Sequence, residues 1–202
     1  MAESAAAPER FAERAHWTQF YSRKPESAPF EWFVSAAQAV DALLPLLPPK
    51  GKLLHAGCGT SDLGPQLASH GFEVDNVDFE PACIAAAQAR GDATARCRWH
   101  VESLERLPAA WTGRFDAVVD KGGLCAVVFG GDSAAHAVLH ELRRCCKPGG
   151  SMHFITADAP EERLELMQHG LGGGARLTYR AIEPEDDEER QCDYFVYSVL
   201  DV

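Results

Sequence analysis

Apolar and polar residues along this chain change their spacing repeatedly, and each change marks an element. Between residues 30 and 47, Phe30, Phe33, Ala37, Val40, Leu43, Leu44 and Leu47 recur at intervals of three and four, which predicts a helix with one buried face. Pro48-Pro49-Lys50-Gly51 ends it. A short apolar run over 52–56 predicts a buried strand, 62–70 a helix, 73–78 a second strand, and 81–90 an alanine-rich helix with Pro81 in its first turn. Strands are expected over 96–101 and 115–119, then a helix over 134–146 that Lys147-Pro148-Gly149-Gly150 stops. A strand over 151–156 and a helix over 160–169 follow, and two β-rich runs, 176–182 and 193–200, close the chain. The highly charged segment 183–190 between the last two runs has no helical apolar face, so those strands are expected to pair as an antiparallel hairpin.

Alternating strand and helix imply a parallel sheet covered on both faces. With 202 residues the chain can build one well-buried core, here assigned to 30–202. Residues 1–29, with Ala, Glu, Pro and isolated aromatics, are expected to form a short helix or arm. Gly172-Gly173-Gly174 reads as a flexible connection, because no helical pattern opens after it.

Composition narrows the function classes. A net charge of −11 argues against binding nucleic acid, which needs clustered Lys and Arg. No apolar run reaches the roughly 18 residues a membrane span needs, and the first residues lack a leader pattern. Seven cysteines without a C-x-x-C pair encode neither a disulfide framework nor a zinc site, so a reducing, cytoplasmic setting is expected. His136 and His140 are four apart on a predicted helix, but no H-E-x-x-H pattern accompanies them, and no metal is expected.

The strongest local signal is Leu53-Leu54-His55-Ala56-Gly57-Cys58-Gly59-Thr60-Ser61, a strand that turns through two glycines into a helix. Glycines there admit positive φ and let a ligand approach the main chain. Asp78, about twenty residues on at the end of the next strand, is placed to accept hydrogen bonds from ribose hydroxyls. A dinucleotide site requires a third glycine where this chain has Asp62, and a carboxylate at a helix start repels a pyrophosphate. A phosphate-free adenosyl ligand, S-adenosyl-L-methionine, fits better.

At this point the sequence resembles the class I, seven-strand methyltransferases. The resemblance implies a Rossmann-like α/β fold: a doubly wound, mostly parallel seven-stranded sheet ending in an antiparallel β-hairpin, with helices on both faces. Phe115-Asp116-Ala117-Val118-Val119-Asp120-Lys121-Gly122 is similar to the fourth-strand motif of one branch, the small lysine methyltransferases acting on elongation factor 1-alpha or citrate synthase. Trp17-Thr18-Gln19-Phe20-Tyr21 and Ser27-Ala28-Pro29-Phe30-Glu31-Trp32-Phe33 are similar to the amino-terminal motifs of that branch. By this resemblance Trp17, Tyr21 and Trp32 close over the cofactor, Gly57, Cys58 and Gly59 line its amino-acid end, and Asp78 and Phe79 hold ribose and adenine. Lys121 lies beside the cofactor, and the adenine contact after the third strand comes from Glu102, Ser103 or Leu104. His55 stands where many relatives have an acid, and Thr60 where the branch often has Asn.

Methyl transfer is an in-line displacement that needs alignment and exclusion of water rather than a covalent nucleophile. A lysine of a protein substrate is the expected acceptor, with Asp120 assisting loss of its proton and contacting the cofactor, and Trp32 offering a cation–π face. A small-molecule acceptor remains an alternative, as does an inactive S-adenosylmethionine-binding scaffold, since fold does not determine acceptor. The acidic segment 183–190 is either a solvated hairpin tip or a steering element for a basic partner.

Overall fold

The computed structural model describes residues 8–23, 29–90, 95–172, 174–183 and 193–202. Seven strands form one sheet: β1 (Lys52–Ala56), β2 (Glu73–Asp78), β3 (Cys97–Val101), β4 (Phe115–Lys121), β5 (Cys146–Thr156), β6 (Arg176–Ile182) and β7 (Tyr194–Leu200). Their order is β3-β2-β1-β4-β5-β7-β6. β1 to β5 pair in parallel, while β7 runs antiparallel to both β5 and β6, so the sheet ends in the expected hairpin. Residues 184–190 of the charged segment and residue 173 of the glycine run lie outside the described residues.

Seven α-helices accompany the described strands: α1 (Arg14–Ser22), α2 (Ala36–Leu43), α3 (Leu63–Ser69), α4 (Pro81–Ala89), α5 (Gly123–Val128), α6 (Asp132–Cys145) and α7 (Pro160–Leu171). A 3₁₀ helix, Pro8–Ala12, precedes α1. Alternate residues of the central strands face opposite layers. Leu54, Val118 and Met152 pack with Val138, Leu139 and Leu142 of α6 and Met167 of α7. On the other face Leu53, Ala117 and Val119 meet Val40 and Leu43 of α2 and Leu63 and Leu67 of α3. Burial from both sides explains why β1 reads as a nearly continuous apolar run. Among the described residues no helix is long and apolar enough to cross a membrane.

Three expectations need correcting. The helix predicted from residue 30 begins at Ala36, because Ser35 and Gln38 form a reciprocal capping box: each side chain takes the other's backbone N–H. Residues 30–34 are irregular, and Phe33 sits at φ 67°. Secondly, Lys147-Pro148-Gly149-Gly150 does not separate helix from strand, since β5 starts at Cys146 and passes through it with a register shift opposite Phe115 and Ala117. Finally, β4 runs two residues beyond its predicted end, and the short helix α5 directly behind it was not anticipated.

Asp75 in β2 is fully buried in this sheet. Its carboxylate accepts hydrogen bonds from Arg98 Nε at 2.9 Å and Arg114 Nη2 at 3.1 Å, with His100 Nε2 at 2.6 Å. Burial alone raises a carboxyl's pKa, but the hydrogen bonds from His100 and Arg98 and the two arginine charges hold Asp75 well below the usual carboxylate range. A depressed folded-state pKa contributes stability above the unfolded value of about 3.9, and this is lost as pH falls toward the folded value. Asp75→Asn is therefore expected to cost about 2–3 kcal/mol at pH 7. Urea unfolding should show the gap to wild type narrowing below about pH 4; a gap that stays constant there contradicts this account.

Candidate active site

The chain reverses direction across the sheet between β1 and β4, the place where doubly wound folds open a crevice at the carboxyl ends of their strands. A cavity of about 200 Å³ lies there. Its floor is the turn after β1: Gly57 and Gly59 adopt φ of 58° and 51°, in the left-handed region that favours glycine. A Cβ on Gly57 would stand 2.9 Å from the Cα of Gly123, and one on Gly59 would stand 2.5 Å from the Tyr21 hydroxyl. The floor is thus wedged between the start of α5 and the amino-terminal arm. Cys58, between the glycines, is buried and ties the turn to β2 by donating its N–H to Val77 O at 3.0 Å. Burial pushes its thiol pKa well up, so it stays protonated at neutral pH.

Asp78 closes one end of the cavity. Its carboxylate accepts from Gly59 N at 2.8 Å and Glu80 N at 2.9 Å, and burial nevertheless raises its pKa. Phe79 beside it is covered by the Arg14 guanidinium, 4.5 Å from the ring centroid. Ser103, Leu104 and Glu105 continue this wall after β3. Arm residues make the roof: Phe11, Arg14, Trp17 and Tyr21, with Phe30 and Trp32 from the following segment. The rings support one another, Trp17 lying 5.8 Å from Trp32 and Trp32 5.0 Å from Phe30. Thr18 Oγ1 donates to Glu80 at 2.6 Å, which fastens α1 to the start of α4.

One carboxylate joins arm, turn and fourth strand. Glu31 accepts from Ser61 Oγ at 2.7 Å and Asp62 N at 2.8 Å, and lies 2.6 Å from Lys121 Nζ. Lys121 Nζ also donates to Trp32 O at 2.9 Å, and its side chain is only 1% exposed. Burial lowers the Lys121 pKa, while the Glu31 charge works to raise it. Thr60 serves the same junction, its hydroxyl accepting from Phe30 N at 3.2 Å.

A glycine floor, a buried carboxylate at the end of β2, and an aromatic roof form a receptor for a flat, partly apolar ligand with hydroxyl groups. A family profile described as a methyltransferase domain matches residues 53–150. Methyltransferase srdJ of Neurospora crassa is 30% identical over 160 residues, 74% of this chain and 67% of that protein. The chain belongs to the S-adenosylmethionine-dependent methyltransferase family. EEF1A lysine methyltransferase 4 of Mus musculus is 33% identical over 160 residues, 74% of this chain, and the chain spans 62% of that relative's length. The fold recurs in the 1,6-didemethyltoxoflavin-N1-methyltransferase of Burkholderia thailandensis, solved with S-adenosylhomocysteine, at a TM-score of 0.66, 18% identity, and coverage of 100% of this chain and 93% of that one.

In this methyltransferase most residues singled out from the sequence share the one cavity: Trp17, Tyr21 and Trp32 in the roof, Gly57, Cys58 and Gly59 in the floor, Asp78, Phe79, Ser103, Leu104 and Lys121 along the walls. Glu102 is not on the wall; its backbone N–H donates to Asp78 O at 3.0 Å. Asp120 also stands apart, 2% exposed, with both carboxylate oxygens accepting from Leu124 N, at 3.2 and 3.0 Å. Those bonds commit it to the turn that opens α5. His55 shares Leu53's face of β1, and its Nδ1 lies 2.9 Å from Asn76 Oδ1. Burial pushes its pKa down to about 4, so it is neutral. Participants not anticipated include Phe11 and Arg14 in the roof, Glu105 on the wall, and Glu31 at the junction.

Proposed function

We propose that this chain transfers methyl groups to a lysine side chain of a protein, with the cofactor held in the cavity between arm and glycine turn. Fit of the cofactor is supported by a floor in which Gly57 meets backbone too closely to admit a Cβ, with Gly59 at a left-handed φ beside it, and by the buried Asp78 carboxylate lining the same space. In this reading Asp78 receives ribose hydroxyls, Phe79 with Ser103 and Leu104 encloses the adenine, and Gly57, Cys58 and Gly59 give the amino-acid end a backbone surface. Trp17, Tyr21, Trp32 and Lys121 shut the remaining side against water. Bound there, S-adenosyl-L-methionine supplies an electrophilic methyl group on a sulfonium. Asp120 contributes through the turn it caps rather than by touching the acceptor.

The observation that carries the lysine reading is the Trp32 ring in the cavity roof, an aromatic face of the kind that attracts an ammonium. Next to it in the chain, the Trp32 carbonyl and the Glu31 carboxylate together hold one buried ammonium, that of Lys121. The name of the mouse relative supports the same acceptor class. A net charge of −11 favours a basic protein partner over nucleic acid. We assign the protein to the cytosol, a reading supported by the cysteine pattern of the sequence, seven residues with no C-x-x-C pair. Residues 1–29 then act as the arm and 30–202 as the catalytic domain.

Incubation with a protein extract and labelled cofactor is expected to place 14 Da increments, or multiples, on lysine residues by peptide mass spectrometry. Label found on small molecules alone would replace the lysine reading with a small-molecule acceptor. Cofactor binding without any transfer would leave a scaffold.

A further inference from the structure

Between the aromatic roof and the start of α2 the chain turns sharply at Phe33. Its φ of 67° lies in the left-handed region, where a residue with a Cβ is strained. Val34 N donates to Trp32 O at 2.9 Å, so residues 32–34 close a γ-turn with positive φ at its centre, the rare form of that turn. A glycine would hold this backbone without strain, yet the position carries a large ring. Strain of this kind persists only where the surroundings fix the conformation.

Three sets of contacts fix it. The Trp32 carbonyl that closes the turn also accepts from Lys121 Nζ at 2.9 Å, which pins it to the end of β4. Val34 is buried with Val40 and Leu43 of α2, and Ser35 caps that helix directly behind it. The Phe33 ring covers Gly122, where a Cβ would stand 3.2 Å from Phe33 Cε2 and 3.6 Å from Trp32 Cβ, and the Tyr194 ring of β7 lies 5.8 Å away. Phe33 does not line the cavity, whereas Trp32 does and meets Phe30 at 5.0 Å and both Trp17 and Phe20 at 5.8 Å. Consecutive rings therefore have separate attachments: Trp32 joins the roof, and Phe33 joins the frame made by β4, α5 and β7.

We infer that Phe33 is a positioning residue for the cofactor site: its ring, packed on Gly122 and Tyr194, holds the strained turn that aims Trp32 into the roof. The inference rests on the reading of this cavity as the cofactor site. Without the ring, the left-handed backbone loses the contacts that offset its strain, and residues 32–34 relax toward an extended path. Val34 and Ser35 stay held at the start of α2, so the displacement falls on Trp32. Three other rings of the roof rest on Trp32, and the roof shifts with it. A ring that served packing alone would change the melting temperature and leave cofactor affinity as it is.

A double-mutant cycle on cofactor binding tests this, with S-adenosylmethionine titrated by calorimetry and folding followed by circular dichroism and thermal melting. Trp32→Ala and Phe33→Ala are each expected to weaken binding about tenfold, and the double variant to bind no more weakly than Trp32→Ala alone, because Phe33 acts through the Trp32 ring. Phe33→Tyr should stay near wild type. Phe33→Gly, which carries a φ of 67° without strain, should keep more of the turn: it is expected to bind between Phe33→Ala and wild type and to melt about 2–4 °C above Phe33→Ala. If Phe33→Ala does not fold, Tyr194→Ala carries the cycle, its smaller loss likewise vanishing in the Trp32→Ala background. Losses that multiply in the double variant, wild-type affinity in the folded single variant, or a Phe33→Gly that binds no better than Phe33→Ala overturn the inference. No binding by wild type instead sinks the cofactor reading itself.

Discussion

Gly57→Val is expected to bind S-adenosylmethionine at least about a hundredfold more weakly than wild type while keeping its circular dichroism spectrum. Two effects add. At φ 58° a branched side chain pays about 1–2 kcal/mol for left-handed backbone, and its Cβ starts 2.9 Å from the Cα of Gly123. The neighbour is backbone, so it cannot rotate away, and relief requires separating β1's turn from α5. Together these amount to about 3 kcal/mol, or two decades of affinity. Calorimetry measures the outcome directly, and Gly57→Ala should show a smaller loss of the same origin. Affinity unchanged in both variants would remove this turn from the cofactor site.

Glu31→Ala is expected to have the largest effect on stability. It strips the carboxylate from Lys121, whose side chain is 1% exposed, and leaves that ammonium only the Trp32 carbonyl. Breaking a buried pair on one side costs about 3 kcal/mol, which for a domain of this size lowers the melting temperature by about 6–12 °C. The same variant frees Ser61 Oγ and Asp62 N from the arm, so the cofactor affinity should fall with it. Adding Lys121→Met removes the stranded charge and should restore part of the melting temperature. If the double variant melts no higher than Glu31→Ala, the cost lies in the contacts to Ser61 and Asp62 and not in the buried ammonium.

The sheet was legible because its strands are short buried runs between strong breakers. β1 and β2 fall where the apolar pattern puts them, bounded by Gly51, by Gly57 and by Pro81. The start of α2 was not, although Ser35 and Gln38 carried the signal of a capping box. Phe30 and Phe33 happen to continue the spacing of the helix, but Phe30 and Trp32 pack into the arm's ring cluster, so tertiary contacts override the period. α5 escaped because it is six residues long and opens on two glycines, which read as loop; what holds it is Asp120.

Within the site, the glycine turn, Asp78 and the arm aromatics were readable as motifs, since each depends on residues close together in sequence. Glu31 was not. Its partners lie 30, 31 and 90 positions away, and nothing local distinguishes it from a surface acid. Asp120 was assigned a place beside the ligand because motif spacing fixes its neighbourhood, but not the direction its hydrogen bonds take. His55 shows the same limit: its position in the motif is next to the ligand turn, while β1's alternation sends its ring to Asn76.

The ring-built roof also gives the molecule an optical readout of its own. Of its four tryptophans, Trp17 and Trp32 stand in the cavity roof, whereas Trp99 and Trp111 are buried and do not line it. Any ligand that enters alters the surroundings of the first pair and leaves the second as a constant background. Intrinsic fluorescence therefore reports occupancy of this pocket without a label, and replacing Trp99 and Trp111 by Phe would leave the two roof emitters to be read alone.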